Sequence, residues 1–103
     1  MKPLQEIRQQ LKAGEFEFTR HALKRSIERN ISDQEIREIG ETIEIIEDYP
    51  DDKYSPSCLL LGFTQANRVL HLQVSTIESD RIKVITLYEP DPTEWIDYKL
   101  RRK

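Results

Sequence analysis

Three apolar runs follow one another with hardly any chain between them: residues 57 to 64, 69 to 76 and 81 to 88. The segments "QANR" and "ESD" that separate them are of hairpin length, far shorter than the crossover that parallel neighbours require. An antiparallel meander is therefore expected. The first and third runs, "SCLLLGF" and "IKVITLY", are apolar at successive positions, as strands covered on both faces are. Helices should cover one side of this sheet and other structure part of the second. The middle run, "VLHLQVST", alternates instead. Leu70, Leu72 and Val74 fall on one face, with His71, Gln73 and Ser75 on the other, polar side, a good place for an acid or base.

The material for the covering helices precedes the meander. Leu4, Ile7 and Leu11 recur at helical spacing, with Pro3 early and Gly14 late, which predicts a helix over residues 3 to 13. "EFEF" alternates and reads as a brief strand. Thr19 can cap a second helix, residues 20 to 29, whose buried stripe would include Leu23 and Ile27. Ser32 and Glu35 have capping-box spacing and open a third helix, carrying Ile36 and Ile39, that stops at Gly40. Ile43 and Ile46 would prolong that helix, while Ile43, Ile45 and Glu47 could instead alternate along a strand. Their branching and the glycine favour a strand over residues 42 to 48. After the loop "YPDDKYSP" and the meander, Asp91, Pro92 and Glu94 have the spacing of a helix start, so a short C-terminal helix is expected, anchored by Trp95.

At 103 residues the chain is expected to form one domain with one core. Its net charge of −3 argues against coating nucleic acid by bulk electrostatics, so any such contact must be local. The basic end, "KLRRK", and the acidic stretch "EIREIGETIEIIEDYPDD" suggest two faces of opposite sign. Cys58 has no partner for an internal disulfide and should be an inert apolar filler. Two histidines and one cysteine supply no ligand set of the zinc-finger kind, so neither a metal nor a cofactor is expected. The polar start and the lack of a long apolar run predict a cytoplasmic protein without a membrane span.

The residues that could do chemistry centre on "FTRHALKRSIERN". On a helix, Arg25 lies about 40° and Arg29 about 80° from His21, with Leu23 and Ile27 on the opposite half. Such a stripe is either a solvated face or a place for a phosphodiester. Imidazole can exchange protons near neutrality, and forked guanidiniums match phosphate oxygens. Those are the parts of metal-free RNA cleavage: a base on the ribose 2′-hydroxyl, an acid on the leaving oxygen, and cations for the charged transition state. His71 would be the partner acid or base. Tyr88, sharing a face with Thr86, could bond a phosphate or stack on a base, or equally close the core with its hydroxyl at the rim. Arg68 at a hairpin turn, and Arg101 and Arg102 in the tail, could position a nucleic-acid backbone.

The ordered set "FTRHALKRSIERNIS", "YPDDKYSPSCLLLGF" with "VLHLQVS", and "KVITLYEPDPTEW" resembles the bacterial family catalogued as DUF4258, from Phe18 to Trp95. That family looks related to RelE-like ribonuclease toxins of toxin-antitoxin pairs. The resemblance implies an α+β fold, with N-terminal helices packed on a curved antiparallel sheet. It implies a cleft that cuts single-stranded messenger RNA, with His21, Arg25, Arg29, His71 and Tyr88 as its catalytic residues. It also implies a small antitoxin protein as partner, and a homodimer fits as well. The alternative is a non-catalytic module that grips RNA or another protein through the same basic stripe.

Overall fold

The computed structural model describes residues 2–103. It is an α+β fold in which three helices lie on one face of a five-stranded mixed sheet. The elements in chain order are α1 (Leu4–Lys12), β1 (Phe16–Phe18), α2 (Arg20–Glu28), α3 (Asp33–Ile39), β2 (Glu44–Tyr49), β3 (Ser57–Phe63), β4 (Val69–Ser75), β5 (Ile82–Tyr88), β6 (Trp95–Ile96) and β7 (Leu100–Arg101). The sheet order is β1-β5-β4-β3-β2, and β6 and β7 form a separate hairpin. The expected meander of β3, β4 and β5 is present, with β2 antiparallel on one flank. The expected all-antiparallel sheet is corrected at the other flank, where β1 runs parallel to β5. A three-residue strand between two helices carries no hairpin signal to set its direction. No helix among the described residues is long and apolar enough to cross a membrane.

Local chemistry sets the helix ends. Gly14, at φ +75°, ends α1 by donating to the Leu11 carbonyl, while the Glu15 N–H closes onto Gln10. Thr19 Oγ1 accepts from Ala22 N and donates to the Ile85 carbonyl, so one side chain both caps α2 and ties it to β5. At the other end Asn30 takes φ +54° and the Ile31 N–H reaches back to Ser26. Ser32 and Glu35 complete the predicted capping box of α3. One core unites Ile7 and Leu11 of α1, Ala22 of α2, and Ile36 and Ile39 of α3 with Leu60, Leu70, Leu72, Val84 and Leu87 of the sheet.

Two expectations fail in this region. Leu23 and Ile27 are not buried but 50% and 72% exposed, and Ala22 and Ser26 face the sheet instead. The reason is distance: held by Thr19 directly against β5, α2 lies too close for leucine or isoleucine to fit beneath it. The C-terminal helix is also absent. The Asp91 carboxylate accepts from Thr93 N and Oγ1, a single turn follows, and the chain enters the β6–β7 hairpin. Asp97 and Tyr98, at φ +52° and +63°, are the central residues of the turn in its three-residue loop, closed by the Lys99 N–H on the Ile96 carbonyl. Burying the Trp95 indole, 4% exposed, outweighs the weak local preference for helix.

Candidate active site

Two β-bulges decide which side chains meet on the sheet face away from the helices. In β5 the pairing passes from Thr86 opposite Gln73 to Val84 opposite Val74, leaving Ile85 as the extra residue. Ile82 and Val84 point into the core, and the bulge reverses the alternation so that Thr86 and Tyr88 point out with His71 and Gln73. In β2 the slip between Ile45 and Glu47 does the same for Glu47. The sequence-level alternation of Ile43, Ile45 and Glu47 on one face is thereby broken, and the carboxylate is aimed at the hairpin.

His71 sits at the centre of this face, and its expected solvent-facing position is corrected: it is fully buried. The hairpin folds over it where a helix had been expected. Its ring stands edge-on to Trp95, with centroids 4.6 Å apart, and to Tyr88, at 5.3 Å. Nε2 lies 2.7 Å from the Tyr98 carbonyl. A carbonyl only accepts, so Nε2 carries the proton, and in the neutral ring Nδ1 is left as the acceptor. Facing Nδ1 at 3.3 Å is the Tyr88 hydroxyl. Burial lowers the His71 pKa below its usual 6.5, against the opposing pull of the Tyr98 carbonyl and Glu47 and with help from Arg101. Burial raises that of Tyr88, despite Arg101. Near neutrality, then, a protonated tyrosine donates to a neutral imidazole.

Tyr88 also opens outward. With Arg29, Glu89, Asp91 and Glu94 it lines a cleft of about 430 Å³. Arg29 is braced there by an Nη1 bond of 2.7 Å to the Leu87 carbonyl, on the stretch of β5 that runs past the end of β1. His21 is solvent-exposed on α2, its Nε2 3.4 Å from Thr86 Oγ1. Thr86 and Tyr88 are one strand repeat apart, about 7 Å, on the same face. The structure thus groups His21, Arg29 and Tyr88 along one edge of β5, with His71 behind Tyr88 and out of reach of solvent.

The other expected site cations are already engaged. Arg25 pairs with Glu28 at 2.8 Å. Arg68 bonds Glu35, Glu89 and the carbonyls of Arg29 and Asn30, so it joins α2, α3 and the end of β5. Arg101 forks onto Glu47 and lies 4.6 Å over the Trp95 ring. Burial alone would raise the Glu47 pKa, but Arg101 and Tyr49 donate to it and the net direction is down. Arg102 is exposed and bonds the Pro92 carbonyl through Nε, near the cleft rim. Arg68 and Arg101 therefore hold the fold together rather than standing free for a backbone. The Tyr98 carbonyl and the Glu47 latch went unread, for "IDYK" has none of the asparagine-glycine pattern that marks a tight hairpin.

No curated protein and no solved structure matches the chain. The match to a family covers residues 18–89, which include α2, both bulges, His71 and Tyr88 but not the β6–β7 hairpin that buries the histidine. The chain thereby belongs to the family described as a domain of unknown function, DUF4258.

Proposed function

We propose that the protein is a metal-independent endoribonuclease of the RelE-like kind, the toxin of a toxin-antitoxin pair, acting on single-stranded RNA at the Arg29–Tyr88 cleft. One observation carries this reading: Tyr88 lines the cleft, and its hydroxyl lies 3.3 Å from the one unprotonated nitrogen of a buried imidazole. In the reaction the ribose 2′-oxygen attacks the adjacent phosphorus. Its proton passes to the Tyr88 oxygen while the tyrosine's own proton moves to His71 Nδ1. The P–O5′ bond breaks, and His21 delivers a proton to the departing oxygen, leaving a 2′,3′-cyclic phosphate. Arg29 faces the charge that builds on the phosphate oxygens. His71 acts through Tyr88 and is a positioning and proton-accepting group, not one that touches RNA.

A second reading is favoured by the charge around the cleft. Glu89, Asp91 and Glu94 line it, and Arg25, Arg68 and Arg101 are already neutralised by glutamates. On that reading the protein is a non-catalytic module that grips RNA or a protein. The test is incubation of the purified protein with end-labelled RNA in the presence of a chelator. The ribonuclease reading expects cleavage by the wild type and a loss of at least about 100-fold in His21→Ala, in the range of a single acid or base. Salt-sensitive binding without any product, weakened by Arg29→Ala, would support the binding module instead.

A further inference from the structure

The outer face of α2 carries a feature that the cleft does not use. Arg20, Leu23, Lys24 and Ile27 stand at positions i, i+3, i+4 and i+7, the spacing of one continuous helical stripe. All four are exposed, and Leu23 and Ile27 are two of the six large hydrophobic side chains left in solvent among the described residues. Neither Arg20 nor Lys24 takes part in an ion pair or a side-chain hydrogen bond among those residues. Eleven of the other fourteen cations do: Lys12, Arg25, Arg68, Lys83, Lys99 and Arg101 each meet a glutamate, and Lys2, Arg8, Arg29, Arg81 and Arg102 hydrogen-bond other groups. An aliphatic pair flanked by two unmatched cations is half of an interface.

We infer that this stripe is the docking face for an acidic amphipathic helix of a partner protein, its aliphatic side chains on Leu23 and Ile27 and its carboxylates on Arg20 and Lys24. Charge selects this occupant. A second copy of the chain, paired through the same face about a two-fold axis, would set Arg20 and Lys24 against their own equivalents. RNA would satisfy the cations but has no aliphatic surface to cover Leu23 and Ile27. A helix laid in this way uses the i, i+3, i+4, i+7 spacing as its anchor points. A contact centred on nine helical residues is small, so binding is reversible and in the micromolar range. Lys24 lies only about 60° round the helix from His21. A partner seated here therefore lies beside His21, although its docking does not depend on whether the cleft cuts RNA.

The test is titration of the full-length protein against a fluorescent synthetic helix of three heptads, with leucine at the first and fourth positions and glutamate and alanine elsewhere. The same peptide with lysine in place of glutamate, an RNA oligonucleotide and phosphatidylglycerol vesicles serve as competitors. The expected result is saturable binding of the acidic peptide alone. It should weaken at least about tenfold in Leu23→Ser/Ile27→Ser and in Arg20→Glu/Lys24→Glu, the loss typical of anchoring residues. These positions are solvent-exposed, and unchanged circular dichroism verifies that the variants are folded. Equal affinity for the lysine peptide, no loss in either double variant, or displacement by RNA or by vesicles would each overturn the assignment. The readout is binding, so it stands whether or not cleavage is found at Tyr88.

Discussion

Replacing Arg68 by alanine separates a residue that binds RNA from one that holds the fold. The guanidinium makes bonds of 3.0 Å to Glu35, 2.8 Å to Glu89, and 2.8 and 2.9 Å to the carbonyls of Asn30 and Arg29. Those carbonyls close the C-terminal end of α2, where a cation is favoured and unpaired acceptors are costly. The side chain is 22% exposed and Glu35 25%, so the ion pairs are partly screened and contribute less than buried ones do. Counting the two carbonyl bonds at about 1 kcal/mol each and the screened ion pairs at a few tenths each, the loss is about 2–3 kcal/mol. For a chain of this size that lowers Tm by roughly 10–20 °C. Urea and thermal unfolding followed by circular dichroism measure it, with Arg68→Lys as the companion variant. Lysine keeps the charge but loses the fork and should recover less than half. A stability within about 0.5 kcal/mol of wild type, together with weakened RNA binding, would refute the argument and return Arg68 to the nucleic-acid surface.

Other consequences follow from burial and packing. The folded-state pKa of His71 is depressed, so its contribution to stability is complete above the unfolded value of 6.5 and is lost as the pH falls through the lower folded value. Unfolding free energy should thus decline as the pH drops below about 6.5, and His71→Gln should flatten that slope. Glu35 and Glu47, held below 4.5 by their donors although burial pulls the other way, add a separate decline only at lower pH. A Cβ at Gly62 would fall 2.6 Å from Ile39 Cβ and 3.2 Å from its carbonyl oxygen, so Gly62→Ala must push α3 off β3. It should cost about 3 kcal/mol in chemical denaturation, the upper part of the overpacking range. Arg101→Ala removes the fork to Glu47 and the contact over Trp95, and should raise the hydrogen-exchange rate of residues 95–101 while α1 and α3 are unaffected.

Periodicity made most of the scaffold legible. The meander, the α1 stripe and the capping box depend on local spacing, and local spacing is what a sequence displays directly. Where the reading failed, a nonlocal contact had overridden a local preference. Leu23 and Ile27 have the pattern of a buried stripe, but the bond from Thr19 to Ile85 brings α2 so near the sheet that only Ala22 and Ser26 fit beneath it. Asp91 and Glu94 have the spacing of a helix cap, but Trp95 gains more by covering His71 than by continuing a helix. The site was half legible for the same reason. His21, Arg29 and Tyr88 share one edge of β5, whereas the burial of His71 and the engagement of Arg68 and Arg101 come from residues far away in the chain.

The most direct measurement is the identity of the RNA ends produced by wild type and by Tyr88→Phe in the presence of a chelator. Phenylalanine keeps the ring against His71 and removes only the hydroxyl that faces Nδ1. The proposed chemistry predicts fragments ending in a 2′,3′-cyclic phosphate from the wild type, formed at least about 100-fold more slowly by the variant. Equal rates for the two proteins, or intact RNA with both, would contradict it.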